Sequence, residues 1–345
     1  MTSSYTFDLP AELIAQSPAE PRDASRLLAI VGGIRSHKRF RDFPDLLRAG
    51  DVLVLNETRV ISARLRGRRP TGGAIELLLL HPSDTMRYNP QALRWNALIK
   101  PGRKALPGQC IEFGELGHAI VLRTHEGGVR ELEFELTVPF ETLLERAGTL
   151  PLPPYIHNES AAAQAAYQTI FARTPGSVAA PTASLHFTPE IIRILQQKGI
   201  EIVKLVLDIG LGTFRPMNSS TIDEHTMHAE SFDISQASVD AIVRAKAEGR
   251  RIVAAGTTVL RALEGCYATH GKLRSGDDQT AIFVTPGFTF HIVDALLTNF
   301  HLPQSTLLLL VCAFAGRERI FEAYREAIAQ RYRFFSFGDA MFIVP

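Results

Sequence analysis

At 345 residues, with 46% apolar residues and a net charge of +1, the chain is too long for one small core and suits two domains of ordinary globular composition. Its longest apolar run, Thr306–Ala315, is about half a membrane span, and the N-terminus lacks a basic-then-apolar signal pattern, so no membrane association and a cytoplasmic location are expected. Three well-separated cysteines, Cys110, Cys266 and Cys312, argue against a disulfide framework or a zinc ribbon.

In chain order, Phe7-Asp8-Leu9-Pro10 leads into a short helical pattern through Leu13 and Ile14. Arg26–Val31 reads as a strand and Phe43-Pro44-Asp45-Leu46-Leu47 as one helical turn. Gly50 sets off the apolar run Val52-Leu53-Val54-Leu55, a buried strand whose tip carries Asn56-Glu57-Thr58-Arg59. Polar residues there fit either a site or a turn. Over residues 61–150 the texture changes. Strand-like pieces at 61–66, 74–80, 93–100, 110–113, 118–125 and 130–136 are separated by Gly/Pro clusters such as Pro70-Thr71-Gly72-Gly73. That pattern predicts a small antiparallel barrel or sandwich. A helix over 139–147 follows, with Gly148 past its end, and Pro151-Leu152-Pro153-Pro154-Tyr155 is a rigid joint.

The second half alternates strands with helices. Thr188 caps a helix that starts at Pro189 and closes at Gly199. A strand over 201–209, a helix over 235–248 and a strand over 251–255 come next. Gly256-Thr257-Thr258 opens a helix over 259–266, 280–285 is a strand, and 303–315 and 318–330 are helices. Alternation of this kind predicts an α/β fold. We expect a mixed, mostly parallel sheet domain made of residues 1–60 and 151–345, with an antiparallel β-barrel-like domain inserted at 61–150.

Charge is unevenly spread. Between Arg22 and Arg69 twelve Lys/Arg face five Asp/Glu, a surplus of seven that leaves the remainder at −6. The stretch is either a solvated face or a phosphate-binding surface, for which the arginine fork is well shaped.

The run Val206-Leu207-Asp208-Ile209-Gly210-Leu211-Gly212-Thr213 joins an apolar strand to a glycine turn, and Asp223, Glu224, His225, His228 and Glu230 follow closely. Strand tips of open α/β sheets are where ligands bind. Three readings arise. The glycine turn is close to the first motif of Rossmann-type methyltransferases, but Phe214 stands where a third glycine belongs and Pro216 blocks the helix. His225 and His228 would share a helix face as metal ligands, yet no H-E-x-x-H is present; no metal is expected.

The third reading comes from a set of long motifs. They are Pro151-Leu152-Pro153-Pro154-Tyr155-Ile156, Val178-Ala179-Ala180-Pro181-Thr182-Ala183-Ser184-Leu185-His186-Phe187 and Met227-His228-Ala229-Glu230. To these add Gly256-Thr257-Thr258-Val259-Leu260-Arg261-Ala262-Leu263-Glu264, the run from Val293 to Pro303, and the run from Tyr332 to Met341. In this order they closely resemble the S-adenosylmethionine:tRNA ribosyltransferase-isomerases of queuosine biosynthesis, from the Asp8-Leu9-Pro10 region to the C-terminus. Departures from that family's usual pattern are Asp208 in place of His, Ser184 in place of Gly and Ser62 in place of Pro.

The resemblance implies an enzyme acting on tRNA that carries 7-aminomethyl-7-deazaguanine at the wobble position. The ribosyl part of S-adenosylmethionine is moved to the exocyclic amine and rearranged, giving epoxyqueuosine and releasing adenine and methionine. S-adenosylmethionine is then a co-substrate, no further cofactor is expected, and the chain is expected to be a monomer. Such chemistry needs a base near the acidic C5′ hydrogen and an acid to help adenine leave. The candidates are His186, His228, Glu230 and Asp208. Candidate substrate-binding residues are Arg59, Thr182, Gly210, Gly212, Thr213, Thr257, Thr258, Arg261, Asn299 and His301. Gly256-Thr257-Thr258 fits a carboxylate at a helix N-terminus or an ordinary capped helix. Phe334, Phe335 and Phe337 fit a base-stacking platform or core. Arg64, Arg66, Arg68, Arg69, Lys100 and Arg103 are candidates for holding the anticodon stem-loop. A tRNA-binding relative that no longer reacts is the alternative raised by Asp208 and Ser184.

Overall fold

The structure, a computed structural model, describes residues 2–210, 225, 227 and 229–345. It divides into two compact units. The first comprises Met1–Thr58, Pro153–Arg173 and Ala180–Pro345; the second comprises Arg59–Leu152 and Thr174–Ala179. Among the described residues no helix is long and apolar enough to cross a membrane.

The first unit is built on a nine-stranded sheet. From one edge the strands are Gly276–Thr280, Glu230–Ile234, Glu201–Leu207, Val52–Asn56, Ile252–Ala255, Ala295–Asn299, Ala340–Val344, Arg26–Val31 and Ile34–Arg39. The four central strands from Glu201–Leu207 to Ala295–Asn299 are mutually parallel, as are Arg26–Val31 and Ala340–Val344. The remaining pairings are antiparallel. Central strands covered on both faces read as unbroken apolar runs, which is why Val52–Asn56 and Ile252–Ala255 are buried throughout. Alternate residues on one face, Leu53, Leu55, Val253, Ala255, Ala295 and Leu297, meet Phe40, Phe43, Phe187 and Ile191 in one core cluster. Each fully buried Leu or Phe of this kind contributes roughly 1.5–3 kcal/mol. The helix Thr257–His270 packs across the four parallel strands.

Helix starts follow the expected chemistry. The side chains of Thr188, Ser235 and Ser305 accept from the backbone N–H three residues on, satisfying donors that the first turn leaves open. Some expected boundaries shift. The strand expected over 280–285 lies at Gly276–Thr280, where it pairs with Glu230–Ile234, and the helix expected over 259–266 runs Thr257–His270. The strands Ile34–Arg39, Glu230–Ile234, Ala295–Asn299 and Ala340–Val344 carry no expectation from the sequence pattern.

The second unit is a closed barrel of six antiparallel strands, in the order Arg64–Arg68, Ala74–Pro82, Arg94–Lys100, Val129–Leu136, Gly117–Thr124 and Cys110–Glu112. Arg68 pairs with Glu112 to close the ring, so no sheet edge is left open. Inward residues such as Leu65, Leu77, Ala97, Val121 and Leu132 are fully buried. The helix Phe140–Ala147 adds Phe140, whose ring stacks on Trp95 at 4.8 Å.

Candidate active site

The carboxyl ends of the four parallel strands lie together, where open α/β sheets bind ligands. A cleft lined mainly by apolar atoms sits there, as small-molecule sites usually are. Each strand end contributes differently. Ile209 follows the strand Glu201–Leu207, Gly256-Thr257-Thr258 follows Ile252–Ala255, and Thr298, Asn299 and His301 come from the end of Ala295–Asn299. Thr182 and Ala183 enter from the short helix Thr182–His186, and Tyr155, Phe335 and Ser336 form another wall.

The fourth strand end is sewn shut. Asn56 is fully buried. Its Nδ2 donates to Leu207 O at 2.9 Å, and its Oδ1 accepts from Leu207 N at 3.1 Å and Thr58 N at 3.0 Å. Thr58 Oγ1 in turn donates to Asp208 Oδ1 at 3.1 Å. Asn56 and Thr58 therefore tie two strand tips together, and Asp208 is part of that tie.

The helix Thr257–His270 points its first turn at the cleft. Its N-cap is Gly256, at φ 107° and ψ 148°, a backbone region that suits glycine alone, and no side chain caps the turn. Open N–H groups at a helix start favour an anion. One turn along, Arg261 is buried and paired with the buried Glu230 carboxylate. Its Nε and Nη2 have no hydrogen-bond partner among the described residues. Farther along the same helix, the buried Glu264 accepts from the backbone N–H of His291, Ile292 and Val293 at 2.8–3.0 Å. It thereby anchors the segment that leads into Ala295–Asn299.

Asn299 is 3% exposed and lines the cleft. Its Nδ2 reaches Phe335 O at 3.2 Å and His186 Nε2 at 3.2 Å, and its Oδ1 has no partner among the described residues. His186 does not line the cleft. Its Nδ1 meets Ser25 Oγ at 2.8 Å and its ring stacks on Phe40. Burial, helped by Arg333 and Arg22, pulls its pKa down to about 3, so it is neutral. His301 does line the cleft, with Nε2 2.9 Å from Thr298 Oγ1, and burial lowers its pKa to about 3 as well. Phe335 has φ +69°, strained for an aromatic residue. The strain is held by Gly338, where a Cβ would come within 2.5 Å of Arg333 O, and by the buried Asp339, which accepts from Arg333 N and Arg26 N. The Phe335 ring stacks on Tyr155 at 4.8 Å, while Phe334 and Phe337 are core.

Of the residues singled out from the sequence, Thr182, Thr257, Thr258, Asn299 and His301 line the cleft. Gly210 does not, although Ile209 beside it does. Gly212, Thr213 and His228 lie outside the described residues. Arg59 belongs to the second unit and is exposed. Tyr155 and Ser25 carried no expectation. Tyr155 sits in one of the long motifs, but nothing in the sequence around Ser25 marks it. Among the described residues no group of three His, Cys, Asp or Glu is arranged to hold a metal ion.

The basic stretch is not one surface. In the first unit Arg22 donates to the carbonyls of Ala166 and Gln168, and Arg35 pairs with Glu322 and Glu326. On the barrel, Arg64, Arg66 and Arg68 alternate with the inward Leu65, so they share the outer face. Arg66, Arg68, Lys100 and Arg103 are exposed. Glu76 lies opposite both Arg66 and Lys100, 3.9 Å from Arg64, and Glu112 lies opposite Arg68. Arg69 instead folds over Gly73 in its own hairpin turn.

The family model described as queuosine biosynthesis protein matches residues 2–343. The chain is 51% identical to an S-adenosylmethionine:tRNA ribosyltransferase-isomerase of Symbiobacterium thermophilum, covering 99% of each. It is 49% identical to the one from Thermus thermophilus, again over 99% of each. The crystal structure of S-adenosylmethionine tRNA ribosyltransferase from Thermotoga maritima is similar, at 37% identity and TM-score 0.56, over 99% of both chains. With the match running essentially end to end, the chain belongs to the family of queuosine biosynthesis proteins that comprises the S-adenosylmethionine:tRNA ribosyltransferase-isomerases.

Proposed function

We propose that the chain transfers and isomerises the ribosyl moiety of S-adenosylmethionine onto 7-aminomethyl-7-deazaguanine at the tRNA wobble position, giving epoxyqueuosine and releasing adenine and methionine. A tRNA substrate puts the reaction in the cytoplasm. One observation carries the assignment of the site. Asn299, whose buried Oδ1 has no partner among the described residues, lines a cleft that also holds the uncapped first turn of the helix Thr257–His270. S-adenosylmethionine has donors for the first, on its adenine amine and ribose hydroxyls, and a methionyl carboxylate for the second. Thr257 and Thr258 hold that carboxylate, and the strained Phe335, backed by Tyr155, offers an apolar surface to the purine.

The sulfonium acidifies the C5′ hydrogen. Glu230, oriented by Arg261, is the proton acceptor in this reading, and His228 the donor to departing adenine. His186, with both ring nitrogens engaged, acts on Asn299 and not on the substrate. The exposed arginines of the barrel, with Lys100 and Arg103, hold the phosphates of the anticodon stem-loop.

The test is mass spectrometry of the reaction with S-adenosylmethionine and tRNA bearing the aminomethyl-deazaguanine base. Adenine, methionine and tRNA heavier by the ribosyl unit support the reading. S-adenosylhomocysteine would overturn it in favour of methyl transfer. Tight tRNA binding without any small-molecule product would mark a relative that has lost turnover, and restoring His at position 208 would then be expected to recover it.

A further inference from the structure

We infer that His186 is a positioning residue: with Ser25 it locks the Asn299 side-chain amide so that Oδ1 faces the cleft and selects a substrate atom that donates N–H or O–H. The inference deepens the proposed function and rests on it, since it takes S-adenosylmethionine as the molecule in the cleft.

The amide orientation follows from its partners. The Phe335 carbonyl only accepts, so the end of Asn299 that faces it, 3.2 Å away, is the NH2. The second N–H of that group reaches His186 Nε2 at 3.2 Å. Nε2 must therefore accept, which places the ring proton on Nδ1, where it is donated to Ser25 Oγ at 2.8 Å. A proton on Nε2 would set two donors against each other. The Asn299 N–H facing Nε2 rules out the Nε2–H tautomer, and burial keeps the ring from carrying a proton on both nitrogens at ordinary pH. The Phe40 ring, 5.0 Å away and stacked, fixes the plane of the imidazole. In the flipped amide, Oδ1 would confront the Phe335 carbonyl. One orientation remains, and it leaves a buried oxygen with no partner among the described residues on the cleft wall. A buried acceptor of this kind discriminates strongly, because an analogue lacking the donor leaves it unpaired.

Two groups of S-adenosylmethionine supply such a donor, the adenine amine and a ribose hydroxyl. The experiment measures the Kd of S-adenosylmethionine, of its 6-oxopurine analogue and of its 2′- and 3′-deoxy analogues by titration calorimetry. The proteins are the wild type, His186→Phe, His186→Gln, Ser25→Ala, Asn299→Ala and the double variant His186→Phe/Asn299→Ala, each checked for folding by thermal unfolding. His186→Phe is expected to weaken S-adenosylmethionine binding about tenfold, Ser25→Ala about threefold, and His186→Gln, which keeps an acceptor at that point, less than threefold. In the Asn299→Ala background His186→Phe should add less than twofold, as expected when one residue acts only through the other. Should His186→Phe fail to fold, Ser25→Ala carries the same test. The 6-oxo analogue losing affinity for the wild type but not for Asn299→Ala assigns the donor to adenine, and a deoxy analogue behaving so assigns it to ribose. Equal penalties with and without Asn299, or no analogue that discriminates, would overturn the inference. Failure of the proposed function is read separately, as absence of adenine and methionine release by the wild type.

Discussion

The cleft of the first unit and the outer face of the barrel both carry polar residues picked out from the sequence, and they are built on opposite principles. At the cleft wall the buried Asn299 is held by His186 and Phe335, His186 is held behind it by Ser25, and the buried Asp339 braces the strained turn at Phe335. On the barrel Arg66 and Arg68 are exposed and share the outer face with the half-buried Arg64, spaced by the two-residue period of a strand, with Glu76 and Glu112 opposite them. A reacting small molecule requires atoms fixed to a fraction of an ångström in a site of low dielectric. A phosphate backbone requires charge, and tolerates mobility. In the proposed reading, the preorganised wall takes the small ribosyl donor and the charged face takes the large polyanion.

Substitutions that separate these modes sharpen the contrast. The largest effect is expected for Asn299→Ala. It removes the cleft acceptor and leaves His186 Nε2 without its partner, so kcat/KM for S-adenosylmethionine should fall about a hundredfold in steady-state assays, with KM for tRNA unchanged. Neutralising Arg66, Arg68 and Arg69 together to Gln should weaken tRNA binding about fiftyfold and flatten its log-log salt dependence by about two. Arg69, folded on its own turn, contributes least. Filter binding across a salt series reads both numbers, and an unchanged slope would remove the barrel face from the account.

Acid stability separates the two regions again. His186 is neutral in the folded protein, with a pKa near 3, and the unfolded chain takes up its proton near 6.5. Its folded pKa is depressed, so below pH 6.5 the unfolded state binds more protons and stability falls as pH falls, down to the folded pKa. Between pH 7.5 and 5 this costs about 2 kcal/mol, and His301 adds a similar amount for the same reason. His186→Gln should therefore lose about 2 kcal/mol less than the wild type over that interval in denaturant titrations. The smallest effect is a gain. Glu76→Gln removes a carboxylate from among Arg64, Arg66 and Lys100 and should tighten tRNA binding about threefold at low salt.

What the sequence reveals follows the same division. The barrel is legible because Gly and Pro clusters mark its turns, and the helix after Thr188 because that residue announces its cap; Ser235 and Ser305 also cap helices, the second inside the helix expected over 303–315. Ala295–Asn299 escapes notice, although it carries Asn299, because Ala-Leu-Leu-Thr-Asn has few β-branched residues and no Gly or Pro directly before it, so it reads as well as helix. Gly276–Thr280 escapes because an edge strand of Gly, Asp and Gln has no apolar face. The long motifs bring His186 and Asn299 forward as candidates but not as partners. They are 113 residues apart, and Ser25 is 161 from His186, so the relay exists only once the sheet has assembled. Conversely, the charge surplus from Arg22 to Arg69 looks like one feature and divides into structural pairs in the first unit and an exposed row on the second.

The most direct test of a preorganised wall for the ribosyl donor and a charged face for tRNA is to measure both affinities in the same two variants, Asn299→Ala and the Arg66/Arg68/Arg69→Gln triple. The account predicts that the first loses S-adenosylmethionine affinity with tRNA binding and its salt slope intact, and that the second does the reverse. A loss of tRNA affinity in Asn299→Ala equal to that of the triple variant, or unaltered S-adenosylmethionine affinity in it, would contradict the account.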